Sequence, residues 1–177
     1  MGAPEAHRHD APKGPLRYAV VTVSTSRYKA KTKGGKPVSD ESGDLAATII
    51  ERANGVVEER RLIPDDAKVL RRTVARALKK ADLDVLVLTG GTGISATDVT
   101  IETVRPYFGK EIEGFGELFR AVSYEEIGAA AALSRATAGV ARGKLIFCLP
   151  GSPDAVRTAL ELFLGEVPHM LHLARGR

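Results

Sequence analysis

The chain has 177 residues, 44% of them hydrophobic and 27% charged, with a formal net charge of +4. That length suits one domain with a substantial core, and the balance is that of an ordinary globular protein, which excludes a disordered or fibrous chain. No apolar run reaches the length of a membrane span and the polar start is not signal-like, so a cytoplasmic protein with no membrane partner is expected.

Residues 1 to about 15 mix Pro, His, Gly and charge without periodicity and are expected to form a mobile tail before one domain over 16–177. His7 and His9 lie in that tail, at a spacing that specifies no metal site. Arg17 to Thr25 has the composition of a first core strand. Arg27 to Glu41 reads as a long polar loop with a Gly-Gly pair, a type of segment that is often functional. It holds Arg27, Lys29, Lys31, Lys33 and Lys36, so much of the positive excess is local. Ser42 or a neighbour is expected to cap a helix that places Leu45, Ile49 and Ile50 on one face and ends at Asn54-Gly55. Val56–Ile63 alternates enough for a second strand.

A helix starting at Pro64-Asp65-Asp66 follows, with Val69, Leu70, Val74, Ala77 and Leu78 as its apolar set. Val85–Leu88 is a third strand, buried on both faces. A short helix to about Tyr107 is expected next, then an irregular stretch and a helix over roughly 117–127. Ala136–Ala141 and Lys144–Leu149 read as strands joined through Arg142-Gly143. Cys148, the one cysteine, excludes an internal disulfide, and its apolar run predicts a buried, inert thiol in a reducing compartment. A last helix begins near Ser152-Pro153 and runs towards Leu173, with His169 and His172 placed for packing or solvent.

The β-α-β-α-β order before residue 90 predicts a three-layer α/β/α domain with a mostly parallel sheet. Right-handed crossovers then bring the ends of four strands to one rim. That rim carries Ser24 and Ser26, Asp65, the Gly90-Gly91-Thr92-Gly93 loop, and Pro150-Gly151-Ser152. Ligands bind at such a rim, where glycines let the backbone approach a phosphate. The loop is not a Walker A motif, because no lysine follows at the required spacing. Gly91-x-Gly93-x-x-Ala96 does satisfy the relaxed dinucleotide pattern, which leaves a nucleotide-binding oxidoreductase as an alternative that needs a further strand and a ribose-binding acid.

Asp65 and Asp98 each follow a predicted strand end. Each is either a helix cap or one of two carboxylates able to hold Mg²⁺ while phosphates complete its shell. Ser152 is suited to cap the last helix, Pro153 fits its first turn, and such a helix end attracts anions. Only 5% of residues are aromatic, too few for a base-stacking surface, and the positive charge suits a small polyanion as well as nucleic acid. No nucleic-acid partner is expected. No Ser-His-Asp or Cys-His set is visible.

Motifs along residues 16–170 then carry a resemblance. They are Ser39-Asp40-Glu41-Ser42-Gly43, Ile63-Pro64-Asp65-Asp66, and Leu88-Thr89-Gly90-Gly91-Thr92-Gly93 with Asp98-Val99-Thr100. Further on come Glu113-Gly114-Phe115-Gly116-Glu117, Ser123-Tyr124-Glu125-Glu126-Ile127-Gly128, Leu133-Ser134-Arg135-Ala136 and Leu149-Pro150-Gly151-Ser152-Pro153. In this order they resemble the molybdenum cofactor biosynthesis protein B family, relatives of molybdopterin adenylyltransferases. The resemblance implies a molybdopterin-binding fold and Mg²⁺-dependent transfer of AMP from ATP to the molybdopterin phosphate, with release of pyrophosphate. It implies catalytic and metal-binding roles for Asp65 and Asp98. It implies substrate contacts for Ser24, Ser42, Gly43, Thr89, the Gly90–Gly93 loop, Ser134, Pro150, Gly151 and Ser152. It also implies a homo-oligomer, a hexamer ahead of a trimer, and other proteins of cofactor biosynthesis as further partners. Ile94-Ser95-Ala96-Thr97 departs from the adenylyltransferase branch by lacking basic residues. That departure keeps open a second reading, a molybdopterin carrier or assembly protein without efficient turnover.

Overall fold

The computed structural model describes residues 14–33 and 38–176. The expected tail, save Gly14 and Pro15, and residues 34–37 with Lys36 lie outside the described residues. Among the described residues six strands form one sheet: β1 (Arg17–Val23), β2 (Val56–Ile63), β3 (Val85–Thr89), β4 (Lys110–Glu111), β5 (Thr137–Ala141) and β6 (Lys144–Leu149). Their order is β2-β1-β3-β6-β5-β4. The first four of that order are parallel, while β5 runs antiparallel to β6 and β4 antiparallel to β5. The mostly parallel sheet expected from the sequence is therefore present.

Alternation along the central strands sorts side chains into two cores, because successive residues point to opposite faces. Tyr18, Val20, Val85, Val87, Leu145 and Phe147 face one way. Helices α2 (Glu41–Arg52), α5 (Glu113–Ile127), α6 (Pro153–Phe163) and α7 (Val167–Ala174) cover that side. Ala19, Val21, Leu86, Leu88, Ile146 and Cys148 face the other way, under α3 (Ala67–Lys79) and α4 (Thr100–Val104). Cys148 is fully buried, and burial pushes its thiol pKa well up, as an inert core residue requires.

Local details correct several expectations. The supposed polar loop begins with a helix, α1 (Thr25–Thr32), capped by Ser24. Lys and Arg have good helix propensity, so five cations with one Gly-Gly pair were no bar to a helix before the glycines. Of Ser42 and its neighbours it is Asp40 that caps α2, its side chain accepting from the Gly43 amide at 3.2 Å. Asp66 caps α3 and accepts from the Val69 amide, and α4 has no side-chain cap. The final helix is broken by a 3₁₀ turn at Leu164–Glu166, with Pro168 inside the first turn of α7. The β5–β6 hairpin closes through Arg142 and Gly143, both at positive φ, as a primed two-residue turn demands.

Strand register decides where a site can form. Val23 pairs with Ile63, and Thr22, Thr89 and Leu149 lie in one row, so four chain exits leave the sheet at one rim. The opposite rim is tied off. There Asp84 accepts from the Arg17 amide at 2.8 Å and from the Arg175 guanidinium at 2.5 Å.

The dinucleotide pattern does not hold in this topology. The chain leaving the Gly loop forms α4 and a 3₁₀ turn, and next enters the sheet as two-residue β4 at the far edge, away from β3. Glu111 and Glu113 lie near the chain distance of a ribose-binding acid, but Glu111 is hydrogen-bonded to Thr137 and Arg105 and Glu113 opens α5.

Phe115 anchors the α5 segment. Its ring lies 5.2 Å from that of Phe147 and 4.5 Å from that of Phe163, with only 1% of the residue exposed. Phe115→Ala is therefore expected to cost about 3–5 kcal/mol in denaturant unfolding. A loss below about 1 kcal/mol would show that α5 is held by something else.

Candidate functional site

Positive φ at two glycines shapes the loop after β3. Gly90 has φ 98°, and a Cβ there would stand 2.3 Å from the Val23 carbonyl oxygen. Gly91 has φ 61°, and a Cβ would meet Asp65 Oδ1 at 2.5 Å and Thr100 Oγ1 at 2.6 Å. Both positions thus exclude side chains by dihedral and by space. Thr100, at the start of α4, pins the loop: its hydroxyl donates to the Gly90 carbonyl and its amide to the Gly91 carbonyl, both at 2.9 Å.

Asp65 is bound from the neighbouring strand exit. The Thr25 amide and hydroxyl donate to its Oδ2 at 2.7 and 3.0 Å, and its own amide donates back to Thr25 Oγ1 at 2.9 Å. The carboxylate therefore meets the first amide of α1, where a negative charge is favoured by the helix dipole. It caps no helix in its own segment. Asp98 closes a turn by accepting from the Ser95 amide at 3.0 Å, beside Gly93. Helix capping, the plain alternative for both aspartates, is thereby replaced by two loop geometries that leave each half-buried on one cleft.

That cleft has a volume of about 520 Å³. Of the residues named from sequence, Ser24, Asp65, Gly90, Gly91, Thr92, Gly93, Asp98, Ser134, Pro150, Gly151 and Ser152 line it. Three others sit beneath it. The Ser42 hydroxyl donates to the Gly151 carbonyl at 2.7 Å, and the Thr89 hydroxyl to the Pro150 carbonyl at 2.7 Å. Gly43 packs so tightly that a Cβ would lie 2.7 Å from Thr22 Oγ1. These residues hold the loops that form the wall. Ser152 does cap α6, accepting from the Ala155 amide at 3.3 Å, and it faces the cleft as well.

Ser26, expected on the same rim as Ser24, lines the cleft too, while Thr25, Arg27, Leu133 and Arg135 also line it and were not singled out as site residues from the sequence. Arg135 donates to the Gly93 carbonyl at 3.0 Å and pairs with Glu102. Burial would raise the Glu102 pKa, yet the hydrogen bond and charge of Arg135 hold it below the usual carboxylate range. Its place in the Leu133-Ser134-Arg135 motif was the signal available; Arg27 was concealed among the loop cations. Two positive side chains therefore stand at the cleft although residues 94–97 supply none.

The donor set fits a hard divalent cation. Asp65 Oδ1 is not used by the Thr25 bonds, Asp98 adds a second carboxylate, and both oxygen sets share the cleft with the phosphate-shaped loop. Among the described residues no group of three or more His, Cys, Asp and Glu is arranged to hold a metal, so substrate oxygens would have to complete the shell. No helix among the described residues is long and apolar enough to cross a membrane.

Comparison with known proteins agrees with this geometry. A family model described as a probable molybdopterin binding domain matches residues 19–171. A Methanocaldococcus jannaschii protein named probable molybdopterin adenylyltransferase is 44% identical over 162 residues, 91% of this chain and 96% of that one. The Staphylococcus aureus molybdenum cofactor biosynthesis protein B is 46% identical over 159 residues, 89% of this chain and 90% of that one. The crystal structure of the tungsten cofactor synthesizing protein MoaB from Pyrococcus furiosus superimposes with a TM-score of 0.82 at 43% identity, covering 93% of this chain and 99% of that one. The chain belongs to the molybdenum cofactor biosynthesis family of molybdopterin-binding domains.

Proposed function

We propose that this chain is a molybdopterin adenylyltransferase of molybdenum cofactor biosynthesis, acting in the cytoplasm on ATP and molybdopterin with Mg²⁺. The observation that carries the reading is the convergence of a glycine loop, two carboxylates and the start of α6 on one cleft, in a chain whose relatives include named molybdopterin adenylyltransferases. An oxygen of the molybdopterin phosphate attacks the α-phosphorus of ATP. One P–O bond forms, the α–β anhydride breaks, and its electron pair leaves on pyrophosphate. No protein nucleophile is required.

The residues divide the work by geometry. The Gly90–Gly93 backbone approaches phosphate without intervening side chains, and the start of α6, where Pro153 has no amide and Ser152 caps that of Ala155, adds the positive end of its dipole. Thr25 orients the Asp65 carboxylate, and the Ser95 amide orients that of Asp98. Asp65 and Asp98 are the residues that would hold Mg²⁺, which when bound supplies positive charge against the phosphates. Arg135 fixes the loop through the Gly93 carbonyl and adds charge at the wall. With Arg27 it answers the lack of basic residues at 94–97, so turnover is favoured over a carrier role.

Incubation with molybdopterin, ATP and Mg²⁺ is expected to yield adenylylated pterin and pyrophosphate, and absence of both products would refute the activity. Asp65→Asn and Asp98→Asn should each lower AMP transfer about a hundredfold or more while the protein stays folded. Near-normal transfer by both variants would remove the catalytic assignment. Gly91→Val drives a side chain into Asp65 and Thr100 at a positive φ, so affinity for ATP and molybdopterin should fall; unchanged titrations would reduce the loop to a structural turn.

The same reading includes a homo-oligomer, with a hexamer ahead of a trimer. Leu118, Val122, Tyr124 and Ile127 on α5 are 55%, 38%, 59% and 53% exposed, and Leu162 on α6 is 38% exposed. Val122, Ile127 and Leu162 line one groove between α5 and α6; exposed apolar surface of this kind marks an interface, and closed symmetry would bury it in every copy. Light scattering at micromolar concentration is expected to give a hexamer; a trimer would correct the assembly size, and a monomer would contradict the interface.

A further inference from the structure

Helix α1 contains cations that the fold itself does not use. Its eight residues include Arg27, Lys29 and Lys31 and no acid, and Lys33 is the C-cap. None of its residues is buried, so core packing does not explain it. These four cations make no ion pair with another described residue.

Position separates two groups among them. Lysines near a helix C-terminus complement the helix dipole, which accounts for Lys29, Lys31 and Lys33 without a ligand. Arg27 is different. It lies in the first turn, where an acid is favoured and a cation opposes the positive end of the dipole, and it is half-buried on the wall of the cleft. Lys31 follows one turn later on the same face, whereas Lys29 projects about 200° around the helix from either. Arg27, on the cleft wall, and the exposed Lys31 therefore repel one another along one face of α1, and an anion between them would remove that repulsion. Asp65 is bonded to the first amide of α1, so the helix and its cations are fixed relative to the carboxylate and the glycine loop.

We propose that Arg27 and Lys31 form a subsite for the diphosphate end of the nucleotide: the β- and γ-phosphates before transfer and pyrophosphate after it. This rests on the adenylyl-transfer reading. With the α-phosphate at the glycine loop, the outer phosphates extend towards α1. As the α–β anhydride breaks, its electron pair passes to the bridging oxygen of the leaving pyrophosphate, and the guanidinium and ammonium groups compensate the charge that accumulates there. The subsite selects nucleoside triphosphates over monophosphates and leaves the pterin end of the cleft unaffected.

The test compares Arg27→Gln/Lys31→Gln with wild type and with Lys29→Gln, which removes a charge from the opposite face of the same helix. Inorganic pyrophosphate and AMP are titrated separately by calorimetry in the presence of Mg²⁺, and KM is measured for ATP and for molybdopterin. Because α1 buries no residue, all variants should keep the wild-type melting temperature. The double variant is expected to lose about tenfold or more in pyrophosphate affinity and to raise the KM for ATP about as much. AMP affinity and the KM for molybdopterin should stay within about twofold, and Lys29→Gln should match wild type throughout. Unchanged pyrophosphate affinity in the double variant would overturn the subsite, as would parallel losses for AMP and pyrophosphate. An equal loss in Lys29→Gln would also overturn it, by showing only an effect of net charge. The pyrophosphate titration needs no turnover. If wild type bound pyrophosphate through Arg27 and Lys31 but transferred no AMP, the enzymatic reading would fail and the subsite would stand.

Discussion

The close approach of Gly90 to the Val23 carbonyl is the constraint on which the rest of the site depends. With no room for a Cβ between them, the exits of β1 and β3 are drawn together at backbone distance. Gly151 adds the third exit, since a Cβ there would lie 3.2 Å from Gly90 Cα. Three loops packed on bare backbone leave main-chain amides and a few short side chains to form the cleft wall. A surface of that kind suits a phosphate better than an apolar ligand.

Two buried hydroxyls and one half-buried latch between strand exits keep that arrangement in place. Thr89 and Ser42 hold consecutive carbonyls of the Pro150-Gly151 segment, so the loop before α6 is tied both to β3 and to α2. The reciprocal bonds between Thr25 and Asp65 link the exits of β1 and β2. Each hydrogen bond contributes only about 1 kcal/mol, but removing one partner leaves a buried polar group unsatisfied, which costs more. The supports are therefore as sensitive to substitution as residues that touch substrate, although they act by holding the wall.

Much of this was legible in the sequence, for identifiable reasons. Long apolar strands, the Gly90–Gly93 loop and Ser152-Pro153 are local signals, and all five strands longer than two residues were anticipated. Strand β4 was not, because Lys110-Glu111 has no strand composition and pairs only through the neighbouring β5. Helix α1 was hidden because its cations and the Gly-Gly pair read as one loop. Asp65 was ambiguous for a physical reason: an aspartate before a helix is usually its cap, and only the structure shows that Asp66 caps the helix while Asp65 is bonded to Thr25. Ser42, Gly43 and Thr89 look like site residues in a motif, and only the fold separates what lines a cleft from what supports it. Arg135 and Arg27 reach the wall from distant elements, and pairing of that sort is not visible along a chain.

In the proposed reaction the glycine loop, Asp65 and Asp98 face one bound triphosphate. A crystal structure of the protein with Mg²⁺ and α,β-methylene ATP, whose α–β link cannot be cleaved, tests it most directly. The α-phosphate is expected against the Gly90–Gly93 amides, Mg²⁺ held by Asp65 and Asp98, and the outer phosphates beside α1. Nucleotide bound in the groove between α5 and α6, with the glycine loop empty, would contradict it.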